Sequence, residues 1–118
     1  MMLAERMELL TKRPQGTLFP PAQNRAAWDT LPADDRMDME TFIAKWRGTP
    51  YPMLLLSDYA AFVRTGSRAQ CETPYFARRR KLIASVLDVC LHGESADMSP
   101  VEDGLWCTCE ETTWAISA

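Results

Sequence analysis

The side chains with the widest chemical repertoire are four cysteines, Cys71, Cys90, Cys107 and Cys109, and a single histidine, His92. A zinc ribbon or a redox pair would use the C-x-x-C spacing, and no such pair occurs. Cys107 and Cys109 stand at i and i+2, which on a helix point about 200° apart and cannot both reach one ion. A metal or redox sensor at Cys107 and Cys109 is therefore not expected, and zinc analysis of purified protein would test it. Disulfides are not expected either, because the N-terminus has no secretion signal and cytosolic thiols stay reduced. The four thiols read as small, mostly buried side chains. His92 precedes Gly93 at what reads as a helix end, where contact with the C-terminal dipole accounts for it. With one histidine and no partnered nucleophile, the stretch carries no Ser-His-Asp or Cys-His set of its own. No cofactor and no metal are implied.

Charge offers a second kind of chemistry. Between residues 61 and 85, six basic side chains (Arg64, Arg68, Arg78, Arg79, Arg80, Lys81) face one acid, Glu72, a surplus of five positives. Between 94 and 118 there are six acids and no Lys or Arg. The basic side could serve an anionic ligand. The alternative is that the two segments pack antiparallel and neutralise each other, or face water. Arg78 to Lys81 spans more than one helical turn, so at most two of the four share a side, with Arg78 and Lys81 at i, i+3 the natural pair. The aromatic residues Trp28, Trp46, Trp106, Trp114, Tyr51, Tyr59 and Tyr75 could pack on sugar rings, or fill a core and helix seams. Trp46 belongs to a core stripe.

These residues must be positioned by helices. Leu3, Met7 and Leu10 have helical spacing over 2–12; prolines and Gly16 then make 14–30 an irregular connection. Met39, Phe42, Ile43 and Trp46 fall at i, i+3, i+4, i+7, one face of an amphipathic helix closed by Gly48 and Pro50. Leu55, Leu56, Tyr59, Phe62 and Val63 form a second stripe ended by Gly66. Thr73-Pro74 reads as a cap with proline at the first helical position. The stripe that follows is Leu82, Ile83, Val86, Leu87, Cys90 and Leu91, closed by Gly93. Ser99-Pro100-Val101-Glu102 reads as a capping box, opening a helix with Val101, Leu105, Thr108, Cys109 and Thr112 on one side. Gly104 inside it costs about 1 kcal/mol relative to Ala, so it marks a close helix–helix contact. No strand with sustained alternation is present, and the expected class is all-α, built from helical hairpins.

The chain has 118 residues, 47% hydrophobic and 25% charged, which fits one domain and excludes a disordered tail. A formal net charge of −3 argues against a dedicated nucleic-acid binder. The longest apolar run, Met53-Leu54-Leu55-Leu56, is far short of the roughly 20 residues that span a bilayer. Neither a membrane nor a nucleic-acid partner is expected, and a cytoplasmic protein is.

Several segments, taken in order, resemble the N-terminal helical region of the heparinase II/III-like polysaccharide lyases. They are Tyr51-Pro52-x-Leu54, Tyr59-x-x-Phe62-x-Arg64-x-Gly66-x-Arg68, Glu72, Pro74-Tyr75-Phe76, Arg78-Arg79 with Leu82, and Gly104-Leu105-Trp106-Cys107-x-Cys109-Glu110-Glu111-x-x-Trp114. A Trp-x-x-Pro-Ala-His stretch commonly closes this block in that family; here Trp114-Ala115-Ile116-Ser117-Ala118 matches its start, with Ser117 in place of Pro. The resemblance covers roughly residues 28–118 through single-residue matches. It implies the first part of an (α/α) toroid. It also implies β-elimination on acidic, uronate-containing polysaccharides, in which a base takes the proton α to the uronate carboxylate. The family's Tyr, His and Asn residues for those tasks lie downstream, so no catalytic residue maps here and the chain alone is expected to be inactive.

On this reading Glu111 and Trp114 line the toroid's inner cleft, and Arg64 and Arg68 add anion contacts. The competing reading for all four is helix packing and salt bridges. A partial toroid leaves apolar faces uncovered, so the resemblance also implies a homo-oligomer. The other functional class consistent with the chain is a self-contained α-helical binding module with no catalysis.

Overall fold

The computed structural model describes residues 18–117, and the helix expected over 2–12 lies outside the described residues. The described residues are all-α and contain no strand. The helices are α1 (Arg25–Asp29), α2 (Ala33–Trp46), α3 (Leu56–Thr65), α4 (Ala69–His92) and α5 (Ser99–Cys109), with a 3₁₀ turn at Gly93–Ser95. No helix among them is long and apolar enough to cross a membrane.

Each helix starts and stops for local reasons. Part of the stretch expected to be irregular, Arg25–Asp29, is helical because the Asn24 side chain accepts the Ala27 N–H. Asp34 and Asp35 favour the positive end of α2, and the chain leaves it through Gly48 at φ +73°. At α3 the Asp58 carboxylate accepts the Leu55 N–H at 3.1 Å, and Gly66 closes the helix at φ +75° with its N–H on the Phe62 carbonyl. The start of α4 differs from expectation: the helix opens at Ala69, and Pro74 lies inside its second turn. Proline removes the donor for the Gln70 carbonyl, but Gln70 is exposed and water can take that place, while buried Cys71 anchors the first turn. The start of α5 is capped by Asp97, whose carboxylate accepts the Ser99 N–H at 2.9 Å; no Ser99 side-chain cap forms. Those hydrogen bonds from Ser99 hold the Asp97 carboxyl below its ordinary pKa.

The 24-residue α4 is the hub, and α1, α2, α3, α5 and the 3₁₀ turn all pack on it. Trp28, Ile43 and Leu91 form the core between α1, α2 and α4, with Leu31, Met39, Leu87 and Cys90 against it. Arg25 ties this region down: its guanidinium donates to the Cys90 and Leu91 carbonyls at 2.8 and 2.9 Å, capping the end of α4. The close contact expected at Gly104 is present. A Cβ there would fall on the Tyr51 hydroxyl and 2.8 Å from Leu82 Cδ1, and Tyr51 donates its hydroxyl to the Pro100 carbonyl.

That close approach sets the phase of α5. Val101 and Gly104 are buried, whereas Leu105, Cys109 and Thr112, expected on one side with Val101, are exposed, and the helix ends before Thr112. The α3 stripe likewise turns outward: Leu56 is 78% exposed and Val63 87%. The helices form an open layer 24 Å thick with a radius of gyration of 18.1 Å, against about 13–14 Å for a compact domain of this length.

Candidate functional site

The most densely wired cleft lies where α3, the first half of α4 and the segment after α5 meet. It encloses about 410 Å³ and is walled by Tyr59, Cys71, Tyr75, Arg78, Glu110 and Glu111 among others. Glu111 sits at its centre with a side chain only 2% exposed. Arg79 grips it through both oxygens, Nη1 to Oε1 at 3.2 Å and Nη2 to Oε2 at 2.7 Å, and Arg78 Nη1 adds a longer contact at 3.4 Å. The Arg78 Nε donates to the Pro52 carbonyl. The Arg79 guanidinium lies 3.4 Å from the centre of the Tyr75 ring, a stacked cation–π contact. Tyr75 in turn donates its hydroxyl to the Trp114 carbonyl at 2.6 Å, and the Trp114 indole donates to the Thr108 carbonyl at 2.9 Å. Removing one partner of such a buried pair typically costs about 3–5 kcal/mol, because the charge left behind has no water.

The neutralising contact between the basic and acidic segments is therefore real at this point. Arg78 and Lys81 do share a side, since Arg78 reaches Pro52 and the Lys81 ammonium lies 5.0 Å from the Tyr51 ring centre. Arg78 and Arg79, adjacent in sequence, nevertheless meet on one carboxylate, because two long guanidinium arms can bend around the helix from neighbouring positions.

The four residues singled out from sequence do not form one cluster. Glu111 is internal and fully engaged by arginines. Trp114 is 64% exposed, held by its two hydrogen bonds beside the cleft with its ring open to solvent. Arg64 lines a neighbouring cavity of about 410 Å³ with Phe62, Ile116 and Ser117, and Tyr59 forms part of the wall of both spaces. Arg68 is exposed at the start of α4, its guanidinium 5.6 Å from the Phe62 ring centre. Of the residues that line the two spaces, two are arginines (64, 78) and two are acids (110, 111), so the linings carry no net charge. The arrangement presents an aromatic face to a ring, and Arg64 and Arg68, which Glu111 does not engage, are exposed to an anion. Its one central carboxylate is occupied, so it does not present a free base.

Tyr59 and Tyr75 were legible as aromatic supply and as part of the resemblance, and the partner of Arg78 and Arg79 only as the acidic segment and not as Glu111, because the pairing spans more than 30 residues. All four cysteines are free, and no group of three metal-ligating side chains occurs among the described residues. Burial pushes the Cys90 thiol above its ordinary pKa, partly offset by Arg25, so it is not a reactive thiolate.

His92 does more than meet a dipole. Its Nδ1 lies 2.6 Å from Asp88 Oδ1 and its Nε2 2.8 Å from Glu40 Oε1, while Arg47 binds the same Asp88 oxygen at 3.0 Å. Burial alone would lower its pKa; the hydrogen bonds to Asp88 and Glu40 outweigh that and raise it. No family model matches the chain, and no curated protein matches it significantly.

Proposed function

We propose that this chain is the N-terminal helical part of a protein similar to the heparinase II/III-like polysaccharide lyases, acting on acidic, uronate-containing polysaccharide. In this reading the chain contributes binding surface. The base and the carboxylate-neutralising groups of the β-elimination come from residues downstream of it.

One observation carries the reading. The residues that bear the resemblance, Tyr75, Arg78, Arg79, Glu111 and Trp114, come from two separate segments and fold into one hydrogen-bonded network. The two segments lie more than 30 residues apart, so their meeting is a tertiary pairing and not a local one. The network also fixes the segment 111–114, so the exposed Trp114 face is held where a sugar ring can stack on it, with Arg64 in the lining of the neighbouring space and Arg68 over the Phe62 ring. Contacts from exposed arginines to a polyanion weaken with salt, since screening acts most strongly at the surface.

The test is titration with heparin and with neutral dextran, followed by tryptophan fluorescence at two salt concentrations. Heparin is expected to bind and to weaken with salt, and dextran not to bind. Trp114→Ala, and separately Arg64→Glu with Arg68→Glu, should each weaken heparin binding by about tenfold. No unsaturated uronate product should form with this chain alone. Equal behaviour of heparin and dextran, or indifference to all three substitutions, would overturn the proposal and favour a self-contained helical binding module.

A further inference from the structure

A second cavity, of about 670 Å³, opens along the second half of α4, between α2 and the turn that leads into α5. Its walls include Trp46, Lys81, Ser85, Asp88, His92 and Asp97. Lys81 is the unusual member. It is 7% exposed, and no carboxylate oxygen lies within 4 Å of its ammonium among the described residues. It has one long hydrogen bond, 3.4 Å to the Trp46 carbonyl, and the Tyr51 ring at 5.0 Å. Those contacts leave two of its three N–H groups without an acceptor. Trp46, which also lines the cavity, has a buried indole N–H with no acceptor among the described residues.

A buried cation short of acceptors and a buried donor with none are costly unless something supplies the oxygens. The remaining wall groups say what that something is. Asp88 is already neutralised by Arg47 and His92, and Asp97 accepts the Ser99 N–H. Both carboxylates are acceptors suited to hydroxyl groups, and Asp97, which has no cationic partner among the described residues, disfavours a doubly charged anion. The volume suits a monosaccharide-sized ligand. We propose that this cavity is a binding site for a hydroxylated monocarboxylate of monosaccharide size, such as a free hexuronate or the end of a uronate chain. Its carboxylate sits on the Lys81 ammonium, and a small rotation of the indole brings the Trp46 N–H onto the same group. Its hydroxyls face Asp88, Asp97 and the Ser85 hydroxyl, which donates to the Lys81 carbonyl at 2.9 Å and keeps lone pairs free. The site is separate from the Glu111 cleft and stands whether or not the polysaccharide reading does.

The experiment is a titration of the intact chain with sodium glucuronate, glucose, a uronate tetrasaccharide and inorganic phosphate, read from the four indole N–H signals by NMR. Glucuronate is expected to shift the Trp46 signal saturably, with glucose silent and phosphate weak. Lys81→Met keeps the stem and removes the charge, and should weaken glucuronate binding by at least about tenfold, while Lys81→Arg retains part of it. A tetrasaccharide that binds more tightly identifies a chain end as the ligand; equal affinity identifies the free sugar acid. An absent or non-saturable shift at Trp46 in the unaltered chain overturns the proposal without recourse to any variant. So do phosphate binding as tight as glucuronate and a Lys81→Met protein that binds normally. Failure here leaves Trp114 fluorescence with heparin unchanged, and failure of the lyase-like reading leaves the Trp46 shift unchanged, so the two are told apart.

Discussion

At the scale of single residues, the molecule places its charges in two contrasting settings. Glu111 is buried among arginines, so its charge is compensated and its oxygens are spent on positioning Arg78 and Arg79. His92 is only partly buried and bridges two helices through Asp88 and Glu40, with Arg47 also on Asp88. Because its pKa is raised above the ordinary 6.5, folding binds a proton that the unfolded chain would release. The stabilisation is therefore fully present below about pH 6.5 and lost as the pH climbs through the raised value. Urea midpoints measured from pH ~6 to pH ~9 should fall with rising pH in the native chain, and the slope should flatten in His92→Gln. An unchanged slope in that variant would show that other groups control the dependence.

At the scale of the elements, the close seam between α5, Tyr51 and α4 decides which side of α5 faces in. Alanine at position 104 would gain about 1 kcal/mol of helix propensity. Against this stands overpacking against the Tyr51 ring and Leu82, at about 1–3 kcal/mol. Displacing Tyr51 also breaks its bond to the Pro100 carbonyl, worth about 1 kcal/mol. The losses win, so Gly104→Ala is expected to destabilise the fold by about 1–3 kcal/mol, read as a lower midpoint in chemical denaturation. A neutral or stabilising result would mean that Tyr51 has room to move and that the seam does not set the register of α5.

At the scale of the whole molecule, a single long helix serves as the hub, and its partners barely cover one another. The result is an open layer with Leu56, Val63, Leu105 and Trp106 toward solvent. Contiguous apolar surface above a few hundred Å² tends to associate. Light scattering across a micromolar concentration series should therefore show dimers or larger species, and Leu56→Lys with Val63→Lys should shift them toward monomer. A stable monomer at every concentration would mean that the open layer is self-sufficient, which counts against the proposed lyase-like reading.

The sequence by itself determined the helical class, the placement of α2, α3 and the body of α4, and the meaning of Gly66, Gly93 and Gly104. Apolar periodicity and terminators act within one or two turns, so they can be read from neighbours along the chain. The side of each helix that finds a partner was decided only in three dimensions. Leu105 and Val63 have the spacing of inward residues and face water, whereas Lys81, which composition would place outside, is buried. The same holds for the sites. Arg64 and Arg68 were legible as positive charge, but Glu111 met Arg78 and Arg79 across more than 30 residues, and Arg25 found the end of α4 across 65. Long flexible side chains are paired by geometry that no local pattern encodes. Burial then fixes whether a charge is solvated, compensated, or left waiting for a ligand.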